Sequence, residues 1–168
     1  MIFQVVGLDP ARVLARAVRV ELSGSTTFLV MHPFDLLKSR LANLHGLREK
    51  QTDKGAAQLR LGIGVARAYL REQAARYPAA DTGAGRSPVQ TLVSEIEKLA
   101  IDDAGRKVAA RWGIHVADAI DPSLIPAGAF WTRKWPGLKS LMSVEYGTGL
   151  TAPESTPAAA TKSARRRS

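Results

Sequence analysis

At His32 the hydrophobic period of the chain changes from two to that of an α-helix, and this change dictates what the two parts can fold into. Downstream, Pro33 stands where a first-turn proline belongs, and Phe34, Leu37, Leu41 and Leu44 form one apolar stripe that Gly46 ends. A second helix is expected from Lys54 to Arg76, capped by Asp53. Leu59, Ile63, Ala66 and Leu70 form its main apolar row, with Leu61, Val65 and Tyr69 as a neighbouring row. Gly62-Ile63-Gly64 lies inside this pattern and reads as close helix packing, not as a phosphate loop. Ser87 and Pro88 open a third helix with Val89, Leu92, Val93, Ile96, Leu99 and Ala100 on its buried face. It is expected to continue past Asp103 to Trp112, with Gly113 as the stop. Ile114 to Pro126 reads as an extended segment, a turn of helix and a loop, and Phe130 to Met142 as an aromatic clasp around Trp131 and Trp135 with a short helix.

Upstream of His32 the pattern is that of strands. Met1 to Val6 is an apolar run that reads as a buried strand, and its start at the initiator methionine points to a missing upstream part. Asp9-Pro10 opens a short helix to about Ala15. Val18, Val20 and Leu22 then alternate with Arg19 and Glu21. After the Ser23-Gly24-Ser25 turn comes the β-rich run Thr26 to Met31, so a hairpin with one wet face on its first strand is expected. The predicted fold class is α+β: a short N-terminal sheet over residues 1–31 packed on a C-terminal helical bundle over 32–146. A disordered basic tail over 147–168 follows.

Composition narrows the chemistry. With 168 residues and no cysteine, the chain has a core's worth of length but no disulfide framework, zinc-thiolate site or cysteine nucleophile. Its three histidines, His32, His45 and His115, lack the spacing that puts metal ligands on one helix face, and no metal site is expected. No P-loop, dinucleotide fingerprint or H-E-x-x-H occurs, and the Asp102-Asp103 pair points in diverging directions, as a solvated face does. No run is long enough for a membrane span and no secretory signal is evident, so a cytoplasmic location without a membrane partner is expected.

The net charge is +9, of which the tail carries Lys162, Arg165, Arg166 and Arg167 against Glu154. On the second helix Arg60, Arg67 and Arg71 fall on one edge. Together with Arg165, Arg166 and Arg167 they are the candidate nucleic-acid contacts, the alternative being solvated charge. Lys38 is the more specific candidate: it stands beside the apolar stripe directly after a hairpin strand, where a cation reaches a phosphate held over the sheet. The competing reading has Lys38 and Arg40 merely facing water.

The hairpin, "VMHPFDLLKSRLANLHGLREKQ" and "QLRLGIGVARAYL" resemble the C-terminal half of bacterial nucleotidyltransferase-fold proteins related to the AbiEii type of toxin, from type IV toxin-antitoxin systems. The resemblance covers about residues 2 to 76, and more loosely the stretch from "WGIHVADAI" to "RKWPGL". It implies a partial nucleotidyltransferase-like fold, NTP and magnesium as the family's cofactors, Lys38 near the nucleotide phosphates, and Asp53 as a match to a following carboxylate. The flanking "REKQTDKG" departs from the family pattern at Asp53. The family's D-x-D segment has no counterpart here. Since phosphoryl transfer rests on metals held by several carboxylates, the isolated chain is expected to be inactive, with no catalytic residue and no cofactor of its own. The implied partners are an N-terminal nucleotidyltransferase half or an antitoxin. The alternatives are a basic nucleic-acid-binding accessory protein and a half-protein completed by another chain through the strand at Met1 to Val6 and the sheet edge.

Overall fold

The apolar stripe after His32 and the row beginning at Leu59 find each other. In a computed structural model that describes residues 8–22, 26–77, 87–124 and 129–145, helix α2 (Pro33–Gly46) packs along helix α3 (Asp53–Arg76). Phe34, Leu37, Leu41 and Leu44 are buried against Leu59, Ile63, Ala66 and Leu70. Each of the Phe, Leu and Ile side chains contributes about 1.5–3 kcal/mol on burial, so this seam is the spine of the fold. Gly62 lies in it: a Cβ there would stand 3.7 Å from Leu37 Cα, ordinary contact distance, whereas Gly64 faces open space. Leu61, expected in a second apolar row, is exposed. The reason is that α3 buries one stripe, and Leu61 lies outside it.

Before this pair come α1 (Pro10–Arg16), β1 (Val18–Leu22) and β2 (Thr26–Val30); after it come α4 (Pro88–Ile101), α5 (Asp103–Trp112) and α6 (Ala129–Leu141). Short 3-10 turns at Arg48–Lys50, Val116–Ala119 and Pro122–Leu124 join the helices. The described chain is therefore α+β and mostly helical, with one two-stranded antiparallel sheet in which Val18 pairs with Val30 and Val20 with Phe28. The core continues from α2 and α3 into Val89, Val93 and Ile96 of α4, Val108 of α5, and Trp131 and Leu138 of α6.

The caps explain where helices begin and end. Asp9 caps α1 through Ala11 N–H, and Ser87 and Gln90 form a reciprocal capping box at α4. Gly113 ends α5 in the left-handed conformation at φ 59°. Two expectations need correction. Thr52, not Asp53, caps α3, its hydroxyl accepting from Gly55 N–H at 3.3 Å, and Asp53 is the first helical residue. The third helix does not run on to Trp112: Asp102 breaks it and caps α5, its Oδ1 accepting from Ala104 N–H at 2.7 Å. A short acidic side chain that satisfies free N–H groups competes with helix continuation, and Gly105 lets the new helix approach, since a Cβ there would lie 2.1 Å from Leu99 O.

The hairpin also departs from expectation. It is not packed on the bundle: β2 is exposed along its whole length, as are Val18 to Glu21 of β1, on both faces. The helices bury their main apolar stripes against one another, and no described side chain of β1 or β2 belongs to the buried core. The strand expected at Met1 to Val6, the turn at Ser23-Gly24-Ser25, the loop after Pro78 and the tail with Arg165, Arg166 and Arg167 lie outside the described residues. Among the described residues no helix is long and apolar enough to cross a membrane.

Candidate functional site

Lys38 lines a cleft of about 470 Å³ bounded by α1, α2 and α4. Helix spacing brings its walls together: Arg12 and Arg16 are i, i+4 on α1, Asp35 and Lys38 i, i+3 on α2, and Glu95 and Lys98 i, i+3 on α4, so each pair shares a helix face. Arg16 is the centre of the polar wall. Its guanidinium donates to Asp35 Oδ1 at 3.3 Å, to Glu95 Oε2 at 3.4 Å and to His32 Nδ1 at 3.4 Å. Asp35 and Glu95 thus share one planar cation, whose fork suits such a bridge, and the third carboxylate of the cleft, Asp9, is engaged in capping α1. Asp35 is buried and its Oδ2 has no hydrogen-bond partner among the described residues.

Arg12, Lys38 and Lys98 are exposed at the same cleft, and none has an acidic partner among the described residues. Three helices thus contribute one unpaired cation each to one concavity, where like charges focus the field on an incoming anion.

Behind Arg16 stands His32. Phe34 N–H donates to its Nδ1 at 3.2 Å, and Arg16 donates to the same nitrogen, so Nδ1 is an acceptor and Nε2 carries the proton toward Tyr69 Oη at 3.2 Å. Burial, and then the Arg16 charge, hold the His32 pKa below its ordinary 6.5, with Asp35 and Glu95 pulling the other way. Burial, and then Glu72, raise the Tyr69 pKa.

The remaining sequence candidates are placed elsewhere. Asp53 is exposed at the start of α3 and does not line the cleft. The arginines of α3 do not act as one free edge. Arg67 donates from Nε to the Asp118 carbonyl at 2.9 Å, and from Nη2 to the same oxygen. Arg71 pairs with Asp121 Oδ2 at 3.3 Å, and Arg60 is exposed. Burial is the largest single influence on Asp121 and acts to raise its pKa, but hydrogen bonds from Ser123 and Arg71 outweigh it, so the net shift is downward. Two of the three arginines therefore fasten α3 to the segment around Val116–Ala119. His115 is half-buried, its Nδ1 3.2 Å from the Leu141 carbonyl.

Of the residues that line this cleft, Lys38 is singled out by the sequence, whereas Arg12, Arg16, Asp35, Glu95 and Lys98 are not. The Arg12–Arg16 spacing was a readable signal of a basic stripe on α1; nothing local pairs Arg16 with Glu95, which lies 79 positions away. No family model, no curated protein and no solved structure matches this chain.

Proposed function

We propose that this chain binds a phosphate-bearing ligand of the nucleotide class in the cleft between α1, α2 and α4, and that it performs no phosphoryl transfer by itself. The observation that carries the reading is the convergence of Arg12, Lys38 and Lys98, from three helices and with no acidic partner among the described residues, on a cleft whose buried acid, Asp35, is already paired with Arg16. Lysines and arginines at such a mouth supply charge-assisted hydrogen bonds to phosphate oxygens. Lys38 is also the residue that the resemblance to AbiEii-type proteins places near nucleotide phosphates. On this reading the chain is the phosphate-holding portion of a nucleotidyltransferase-like protein, and metal-holding carboxylates come from another chain.

Titration calorimetry of the full chain with ATP, GTP and pyrophosphate, with and without magnesium, tests the binding. Lys38→Ala, Arg12→Ala and Lys98→Ala are each expected to weaken binding about tenfold, the loss of one charge-assisted contact, while Arg60→Ala leaves it unchanged. No binding at millimolar nucleotide, or equal effects of Arg60→Ala and Lys38→Ala, would sink the cleft reading. Transfer of label from NTP to tRNA or protein by the isolated chain would overturn the second half of the proposal.

A further inference from the structure

The hairpin carries a pattern that the cleft does not explain. On one face Val18, Val20, Phe28 and Val30 are 37%, 38%, 49% and 47% exposed. On the other face Arg19 and Glu21 stand opposite Leu29 and Thr27, so neither charge has a counterpart on β2. Among the described residues the outer edge of β1 is also unpaired, and the strand carries neither proline nor bulge, so Arg19 and Glu21 are the charges that decide what can pair with it. Unpaired N–H and C=O groups along such an edge are a template for another strand.

We propose that two copies of this chain join through β1, antiparallel about a two-fold axis at Val20, into a sheet of order β2-β1-β1-β2. A two-fold axis at Val20 sets each residue of Val18–Leu22 opposite its mirror position: Val20 meets Val20, Val18 meets Leu22, and Arg19 meets Glu21 twice, once on each side of the axis. The strand is thus complementary to its own reversed copy in charge as well as in hydrophobicity. Directly opposed Arg–Glu and β-branched pairs are what stabilise antiparallel neighbours. The outer edge of β2 offers no equivalent, because a two-fold axis at Phe28 sets Thr27 opposite Leu29. The charge pattern therefore selects both the occupant, a second copy, and the edge.

The test is a charge swap read by sedimentation velocity on the full chain from about 5 to 500 μM, a range that brackets weak association. The wild type is expected to shift with concentration from 18.1 kDa toward twice that mass. Arg19→Glu puts two glutamates opposite each other on both sides of the axis, and Glu21→Arg two arginines. Each variant alone is expected to move the midpoint at least tenfold upward in concentration. A one-to-one mixture of the two restores association as a heterodimer, and so does the double variant R19E/E21R, as the self-complementary register demands. Both residues are exposed, so these variants keep the fold. A chain that stays monomeric across the range overturns the proposal, as does a dimer indifferent to both single reversals. A monomer in which residues 2–6 are protected from hydrogen exchange also overturns it, placing the chain's own start on the hairpin.

Discussion

Arg16 reaches from α1 to Asp35 at 3.3 Å, and this ion pair attaches a helix that has no buried residue of its own to one whose apolar face is the centre of the core. The Asp35 side chain is 6% exposed and that of Arg16 is 25% exposed, so the pair is far less screened than a surface bridge.

Removing the cation should therefore cost more than the contact itself is worth. Arg16→Met leaves the buried Asp35 carboxyl without its cationic partner, and is expected to destabilise the protein by about 3 kcal/mol, at the low end for breaking a buried pair because Arg16 is partly wet. The double variant R16M/D35L, which removes both charges, is expected to recover most of that loss. Urea denaturation of the three proteins measures it, and equal stability of the single and double variants would contradict the account.

His32 makes stability depend on pH in a stated direction. Its folded-state pKa lies below the ordinary 6.5, so the unfolded chain binds the proton more tightly. The stabilisation from the neutral ring is complete above 6.5 and is lost as the pH falls through the lower folded-state value. His32→Asn keeps an acceptor for Phe34 N–H but cannot take up a proton. The urea midpoint of the wild type is expected to fall more steeply than that of H32N between pH of about 7.5 and 5. Parallel curves would show that the imidazole is not responsible.

The same substitution should act with opposite sign at two glycines of α3. At Gly55 a Cβ would lie 1.9 Å from the Lys50 carbonyl oxygen, so Gly55→Ala is expected to destabilise by at least about 1–3 kcal/mol, as overpacking against backbone does. At Gly64 nothing lies within 4 Å, and Gly64→Ala is expected to stabilise by about 1 kcal/mol through helix propensity alone. Thermal melts of the two variants beside the wild type provide the check.

Trp131 closes the far side of the core, fully buried and stacked on Trp135 with ring centroids 5.0 Å apart. Trp131→Ala is expected to cost about 3–5 kcal/mol. Trp131→Phe should cost about 2 kcal/mol or less, because it keeps an aromatic ring and removes an indole N–H that has no hydrogen-bond partner among the described residues. Chemical denaturation followed by far-ultraviolet circular dichroism separates the two values.

Much of the helical framework could be read before any coordinates. Phe34, Leu37, Leu41 and Leu44 repeat at helical spacing because one face must be buried, and Ser87-Pro88 and Gly113 mark helix ends by local chemistry. Asp102 was misread for the same reason in reverse: a short acid within an apolar-periodic run looks like a wet helical position until its carboxylate is seen capping α5. The hairpin alternation correctly marked two strands, but alternation states only which residues share a face, not whether another element covers it. The helices bury their main apolar stripes on each other, and both faces of the hairpin stay exposed.

The one-dimensional order of the chain is therefore legible in its residues: which described segments are helix or strand, where several helices start and stop, and which stripes are apolar. Only the packing of the helices brings Arg12, Lys38 and Lys98 to one cleft, Arg16 to Glu95, and Arg67 and Arg71 to Asp118 and Asp121. Periodicity is a local property of a few turns, whereas these meetings depend on how α1, α2, α3 and α4 settle against one another. That arrangement is set by the summed packing of the core, with no single motif to announce it.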